Sequence, residues 1–343
     1  MKNRLADISK GRDNNLDLLR FIAAIMVIFS HAFPISLGAD VMDPLAVMTK
    51  DQISFGSLAV SVFFLYGGFL ICKSLFRCKE TKKYFKARII RIFPPLMVVV
   101  ILCSFCLGPF YTVLSIPDYF TSAGTYRYLL NGILILQHNL PGVFENNIYG
   151  AVVNGPLWTL PIEFVCYIMC WFFYKINILD KKRSLGAILI FGLGCTGVLI
   201  LSEKYAILAT MIRPMGMFFI GMMLYIYLEH IVMSRFIFWL CLAGCIVSSI
   251  LGIFNYTIFI FLPYLLMYIG FGTKFKFSDF AKRGEISYGI YLSAWPVQQM
   301  ICQYFGGQMN PVLNFILAII PSIFMGIIIC KFVEKPVTRK FKN

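Results

Sequence analysis

Residues Leu16–Pro34 read LDLLRFIAAIMVIFSHAFP, an apolar run long enough to cross a bilayer whose hydrocarbon core is about 30 Å thick. Arg20 near its start and His31 near its end interrupt the run. At about 100° and 1.5 Å per residue, the eleven steps between them return almost to the same helical face, with a rise of roughly 16 Å. One face of one helix therefore carries a cation and an imidazole. If the helix starts at the inner surface, Arg20 lies near the inner headgroups and His31 in the outer half of the hydrocarbon, where an ionisable residue marks a functional site by default.

The rest of the chain has the same texture. Its 343 residues are 59% hydrophobic with 34 Phe and only 14% charged, against about a quarter charged in soluble proteins, and the mean hydropathy is +0.79. Most apolar runs are apolar on all sides for about 20 residues, so an all-α, multi-pass membrane protein is expected rather than a soluble core with amphipathic elements. The net charge of +15 falls in alternate loops, which follows the positive-inside rule and removes nucleic acid as a partner. The basic N-terminal flank (Lys2, Arg4, Lys10, Arg12) precedes a run longer than a signal-peptide core and without a small-residue cleavage site, so an uncleaved first span is expected. The 11 cysteines show no metal spacing, and most, such as Cys166, Cys170, Cys241 and Cys245, lie inside apolar runs. No metal site and no permanently bound cofactor are expected.

About ten spans can be drawn, near residues 16–36, 53–75, 92–114, 156–177, 185–202, 206–229, 233–252, 255–272, 285–305 and 311–333. The basic segments are the N-terminal tail, the loop from Lys73 to Arg91, the loop from Lys175 to Arg183, the loop from Lys274 to Arg283 and the tail after Lys331; the alternate loops hold only scattered charges such as Asp40, Asp43, Glu203 and Lys204. Both termini are therefore placed in the cytoplasm. This divides the chain into a tail over 1–15, a membrane domain over 16–336 and a second tail over 337–343. The longest outer loop, about 115–155, contains an apolar segment, 126–137, too short to span and read as re-entrant or interfacial. No internal repeat is visible.

Two further charges lie inside spans, Glu163 in GPLWTLPIEF and Arg213 in TMIRPMG, each about seven residues in from the outer end and so roughly 10 Å deep, near the level inferred for His31. The three converge in one layer, or Glu163 and Arg213 simply neutralise each other; the two readings are compatible. Pro161 and Pro214 beside them are expected to interrupt helical hydrogen bonding. His138 and His230 read as solvated. Arg88 and Arg91, in KARIIRIFPP, sit at the inner lip of the third span, where paired guanidiniums suit a phosphorylated ligand arriving from the cytoplasm.

In chain order, Arg20 and His31, the Gly-Gly-Phe-Leu of SVFFLYGGFLI, Arg88 and Arg91 before Ile92 and Pro94, Trp158 and Glu163, Ser287, Tyr288 and Tyr291 of ISYGIYLSAWPVQQ, and Glu334-Lys335-Pro336 resemble the acyltransferase-3 family of integral-membrane acyltransferases. The match runs from Leu16 to Pro336. It implies an enzyme of the bacterial inner membrane that takes an acyl group, usually acetyl, from cytoplasmic acyl-CoA and delivers it to a hydroxyl of an extracytoplasmic or lipid-linked glycan such as O-antigen, capsule or exopolysaccharide. By resemblance His31 is catalytic, and Arg20, Arg88 and Arg91 belong to the donor side. Two positions depart from the pattern: Gly67 stands where many members carry Ser, and Ala294 where many carry His.

An imidazole near neutrality suits a general base on the acceptor hydroxyl, with Glu163 orienting it or binding the acceptor. Trp158, Arg213, Tyr288 and Tyr291 are further candidates for the site or the acceptor. Direct transfer and an acyl-histidine intermediate both remain open. The competing class is a multi-pass transporter or exporter of a glycan or lipid, in which buried Arg, Glu and His line a path; it leaves the arginine pair at the inner lip unexplained. Acetyl-CoA as donor, a glycan acceptor and membrane lipid are the expected partners.

Overall fold

The structure, a computed structural model, describes residues 4–11, 13–202, 207–280, 282 and 284–342; the basic positions Lys2, Arg12 and Arg283 and the loop charges Glu203 and Lys204 lie outside them. The described residues form helices, short turns and isolated β-bridges, with no strand. The long helices are α1 (Leu16–Leu37), α2 (Phe55–Cys78), α3 (Thr81–Leu102), α4 (Thr159–Lys175), α5 (Ser184–Ser202), α6 (Ile207–Ile226), α7 (Arg235–Ile250), α8 (Phe254–Met267), α9 (Ser287–Tyr304) and α10 (Pro311–Ile329).

Six helical runs among the described residues are long and apolar enough to cross a membrane: Leu16–Leu37, Phe55–Cys78, Thr81–Tyr111, Gly155–Lys175, Phe254–Gly272 and Pro311–Phe341. Three more, Ser184–Gly197, Thr210–Ile226 and Arg235–Ile250, are apolar but shorter. The helix α9 reaches neither class, because Ser287, Ser293, Gln298 and Gln299 are buried within it.

Local chemistry sets the ends. The Asn310 side chain accepts from the backbone N–H groups of Val312 and Leu313, with Pro311 next to it, so α10 starts as an Asn-capped, proline-led helix. Asp43 caps Pro44–Met48 in the same way, with Pro44 following. The helix α3 begins at Thr81, eleven residues before the apolar onset, because the basic stretch through Arg91 is itself helical. Hydropathy does not register that extension. Beyond Leu102 the chain passes through a π-turn, Cys103–Leu107, into Gly108–Tyr111. The segment 126–137 becomes the end of a short helix, Ala123–Arg127, and a 3-10 turn, Tyr128–Ile133, closed by Leu134 in the left-handed region. Neither flagged proline stops a helix. Pro161 lies in the first turn of α4, where its missing N–H has no partner to lose, and α6 continues through Pro214.

The chain forms two compact units. The first comprises Met1–Leu19, Val60–Phe85 and Ile162–Phe280. In it α2 and α6 approach backbone to backbone: a Cβ on Gly68 would lie 2.0 Å from the Phe218 carbonyl oxygen, and one on Gly221 would lie 2.2 Å from that of Leu65. Tyr66 donates to the Leu266 carbonyl at 2.6 Å. Asn15 fastens the chain before α1 by donating to Ile269 O, Thr273 Oγ1 and Phe275 O and accepting from Phe277 N.

The second unit comprises Arg20–Ala59, Lys86–Pro161 and Ala281–Asn343. Its α9 and α10 meet where a Cβ on Gly289 would lie 2.9 Å from the Gly326 Cα. Gln298, fully buried, donates to the Ile28 carbonyl at 2.9 Å and to Asn314 Oδ1 at 3.0 Å, joining α1, α9 and α10. The segment before α4 is drawn onto α9 by Asn147, which donates to Gln299 Oε1, and by Asn154, which donates to Leu292 O at 2.8 Å.

Candidate functional site

His31 lies in the second unit, on α1. Its ring meets Trp295 of α9 edge to face, with centroids 4.8 Å apart and planes at 74°, and Trp295 meets Tyr149 in the same manner at 4.9 Å. Two aromatic rings in series, Trp295 and behind it Tyr149, wall the imidazole on one side. Trp295 is fixed by donating its indole N–H to the Val152 carbonyl at 3.0 Å, and Gly155 leaves it room, since a Cβ there would sit 3.1 Å from the indole. The Nδ1 of His31 is buried without a hydrogen-bond partner among the described residues, while the residue as a whole is part-buried. Asp43 is the carboxylate whose charge the imidazole feels. Its own geometry is rigid, for it accepts from Ser30 Oγ at 2.5 Å, Ala46 N at 3.0 Å and Phe55 N at 2.9 Å.

A second charged centre of this unit lies at the other ends of α9 and α10. Arg91, midway along α3, pairs through Nη2 with Glu285 and through Nη1 with Glu334 at 2.6 Å. Tyr288 lies against the guanidinium, its ring centroid 5.3 Å from Cζ, and donates its hydroxyl to Ile92 O at 3.0 Å. Glu285 also accepts from Ser287 N at 3.1 Å, which caps the first turn of α9. Arg20 is within electrostatic range of Glu285. Arg88, three residues from Arg91, is part-buried.

The remaining expected residues fall into place singly. Tyr291 is buried, sharing a hydrogen bond with Thr159 Oγ1 at 2.7 Å and donating to Pro156 O at 2.9 Å. Trp158 ends the 3-10 turn Gly155–Trp158, part-buried. Glu163 and Arg213 belong to the first unit. Each meets a neutral partner: Glu163 accepts from the Tyr167 hydroxyl one turn further on, and Arg213 donates to Asn255 Oδ1 at 2.5 Å. His138 and His230 are exposed. No group of three or more His, Cys, Asp or Glu among the described residues is arranged to hold a metal ion.

A family model described as an acyltransferase domain matches residues 13–332. The chain belongs to the acyltransferase-3 family. The acyltransferase is 26% identical over 339 residues to a protein of Shigella phage Sf6 named O-acetyl transferase, covering 94% of this chain and 96% of that one. It is 33% identical over 165 residues to Nodulation protein 10 of Rhizobium leguminosarum bv. viciae, covering 47% and 44% of the two chains. No solved structure gives a significant match.

The roles of three carboxylates of the acyltransferase's candidate site escaped sequence reading, which had Asp43 only as a loop charge and Glu334 only in the motif Glu334-Lys335-Pro336. Asp43 sits in a polar loop and looks solvated; its one signal is Asp-Pro ahead of an apolar turn, which announces a helix cap. Glu285 and Glu334 meet Arg91 across 194 and 243 residues, a separation no local pattern reports. The face of α9 turned away from Trp295 borders an apolar cavity of about 300 Å³, lined by side chains such as Val99, Cys103, Phe110, Pro296, Met300 and Met325. The π-turn after α3 supplies part of that wall.

Proposed function

We propose that this acyltransferase is a membrane O-acetyltransferase, moving acetyl from cytoplasmic acetyl-CoA to a hydroxyl of an extracytoplasmic or lipid-linked glycan. The observation that carries the reading is the match along nearly the full length of both chains to a protein named O-acetyl transferase. The seating of His31 supports it, because its buried Nδ1 has no protein partner among the described residues and its ring is held against Trp295. In the proposed chemistry His31 takes the proton of the acceptor hydroxyl as the oxygen attacks the thioester carbonyl. The C–S bond breaks and the CoA sulfur recovers the proton. The alternative order, with an acyl-imidazole formed first, uses the same groups. Asp43 stabilises the transient imidazolium. Trp295 and Tyr149 screen the thioester from water, which limits wasteful hydrolysis.

In this reading about ten spans cross a bacterial inner membrane with both termini in the cytoplasm, following the positive-inside distribution of Lys and Arg. Arg20 and Arg88 face the donor's phosphates, and Tyr149 and Trp158 face the sugar. The test is to incubate membranes holding wild-type or His31→Ala protein with radiolabelled acetyl-CoA and total envelope glycan, and to follow label into base-labile ester. Loss of a positioned general base costs about 10²- to 10⁴-fold, so label is expected from wild type and not from the variant. A folded His31→Ala protein that transfers at the wild-type rate refutes the assignment.

A further inference from the structure

Arg88 and Arg91 look equivalent in the sequence, two guanidiniums one turn apart. Arg91 has a carboxylate on each terminal nitrogen and a tyrosine ring against its carbon. The side chains of Glu285 and Glu334 are only 16% and 11% exposed. A carboxylate so enclosed is costly to leave unpaired. Arg20, in range of Glu285, and Lys335, next to Glu334, add positive charge nearby, but both terminal nitrogens of Arg91 are already taken by carboxylates. A phosphate approaching Arg91 has to displace a carboxylate that has nowhere to go.

We propose that Arg91 is a positioning residue and not a donor ligand. With Glu285 and Glu334 it forms a closed charge lock that fixes α3 to the first turn of α9 and to the turn Cys330–Glu334 after α10, and the donor's phosphates bind on the Arg88 side without it. The lock has a direct route to the site. Glu285 caps α9, and α9 carries Trp295, the ring against His31. A loosened lock lets that helix shift and misplaces the imidazole wall, which slows transfer without weakening donor binding. The inference rests on the reading that acyl-CoA is the donor.

The experiment uses purified full-length protein, with CoA as the probe in titration calorimetry, kcat from label transfer, and the thermal midpoint of each variant. The variants are Arg91→Gln, Glu334→Gln, both together, and Arg88→Gln. Arg91→Gln and Glu334→Gln are expected to lower kcat while leaving the Kd for CoA at the wild-type value, the double variant faring no worse than the poorer single one. Arg88→Gln, which removes a charge-assisted bond to phosphate, is expected to raise the Kd about tenfold or more. A comparable rise for Arg91→Gln, or tighter CoA binding once Glu334→Gln frees the guanidinium, overturns the proposal. If Arg91→Gln does not fold, Arg91→Lys takes its place with the same expectations. If the wild type binds no CoA, the donor reading falls; the lock is then decided by the midpoints, and strictly additive losses for Arg91→Gln and Glu334→Gln overturn it.

Discussion

A methyl group added at Gly68 meets the backbone of Phe218. Its carbon would lie 2.0 Å from the Phe218 oxygen, 2.8 Å from the Phe218 carbonyl carbon and 3.1 Å from its Cα. An ordinary contact begins near 3.5 Å, so α2 and α6 have to part by about 1.5 Å to admit it. No rotamer relieves the clash, because the obstructing atoms are main chain. The separation also unseats the reciprocal contact at Gly221, with its 2.2 Å approach to Leu65 O. Leu65, Phe69, Phe218 and Met222, all at 0% exposure, lose their packing with it. Overpacking of this kind costs about 1–3 kcal/mol, and a backbone-to-backbone site with no flexible neighbour belongs at the top of that range. Gly67 provides the control, for its added carbon would stand 3.7 Å from the Phe218 ring, an ordinary contact. Thermal unfolding of purified protein, read by loss of the monodisperse peak in size-exclusion chromatography, separates the two. Gly68→Ala is expected to melt well below wild type and Gly67→Ser close to it. A Gly68→Ala protein that melts with the wild type refutes the geometry of the crossing.

Two more tests address positions away from this crossing. Asn15→Ala removes four side-chain hydrogen bonds that hold the segment around Thr273, Phe275 and Phe277; a loss of about 2 kcal/mol is expected, with faster tryptic cleavage at Lys274 and Lys276 as the local readout. Gly155→Val pushes branched carbons into the Trp295 indole, which already stands 3.1 Å from the first added carbon; slower transfer with an unchanged Kd for CoA is expected, and unimpaired transfer shows that the ring against His31 is dispensable.

Helices were the legible part of this chain because their signal is local. The run around Leu16–Leu37 differs by one residue from its sequence boundary, and the start of α10 coincides with it, since Asn310-Pro311 is a cap that can be read directly. Where basic residues carried the helix, as in the first half of α3, reading failed. The polar, buried α9, drawn at 285–305, runs over Ser287–Tyr304. Pro214 takes one hydrogen bond out of α6 without ending the helix. At the site, His31 and the arginines were visible as charges out of place in apolar runs. Their partners were not. Trp295 reads as one more membrane aromatic, Asp43 as one more loop acid, and the carboxylates on Arg91 come from the far end of the chain. Glu163 shows the converse, for its partner Tyr167 is one turn away on the same helix, while sequence reasoning looked to another helix for a cation.

The charge lock also sets a clock on biosynthesis. Arg91 leaves the ribosome 194 residues before Glu285 and 243 before Glu334. At about 5–20 residues per second, the second carboxylate follows the guanidinium by roughly 12 to 49 s. For that interval the arginine is a lone cation next to an apolar run, a situation that is expensive in hydrocarbon and mild at a headgroup surface. The nascent chain therefore holds the basic half of α3 at the interface until α9 and α10 arrive. Completion of the charge lock waits on Glu334, so a chain cut short before it carries a permanent, detectable defect at its charged end.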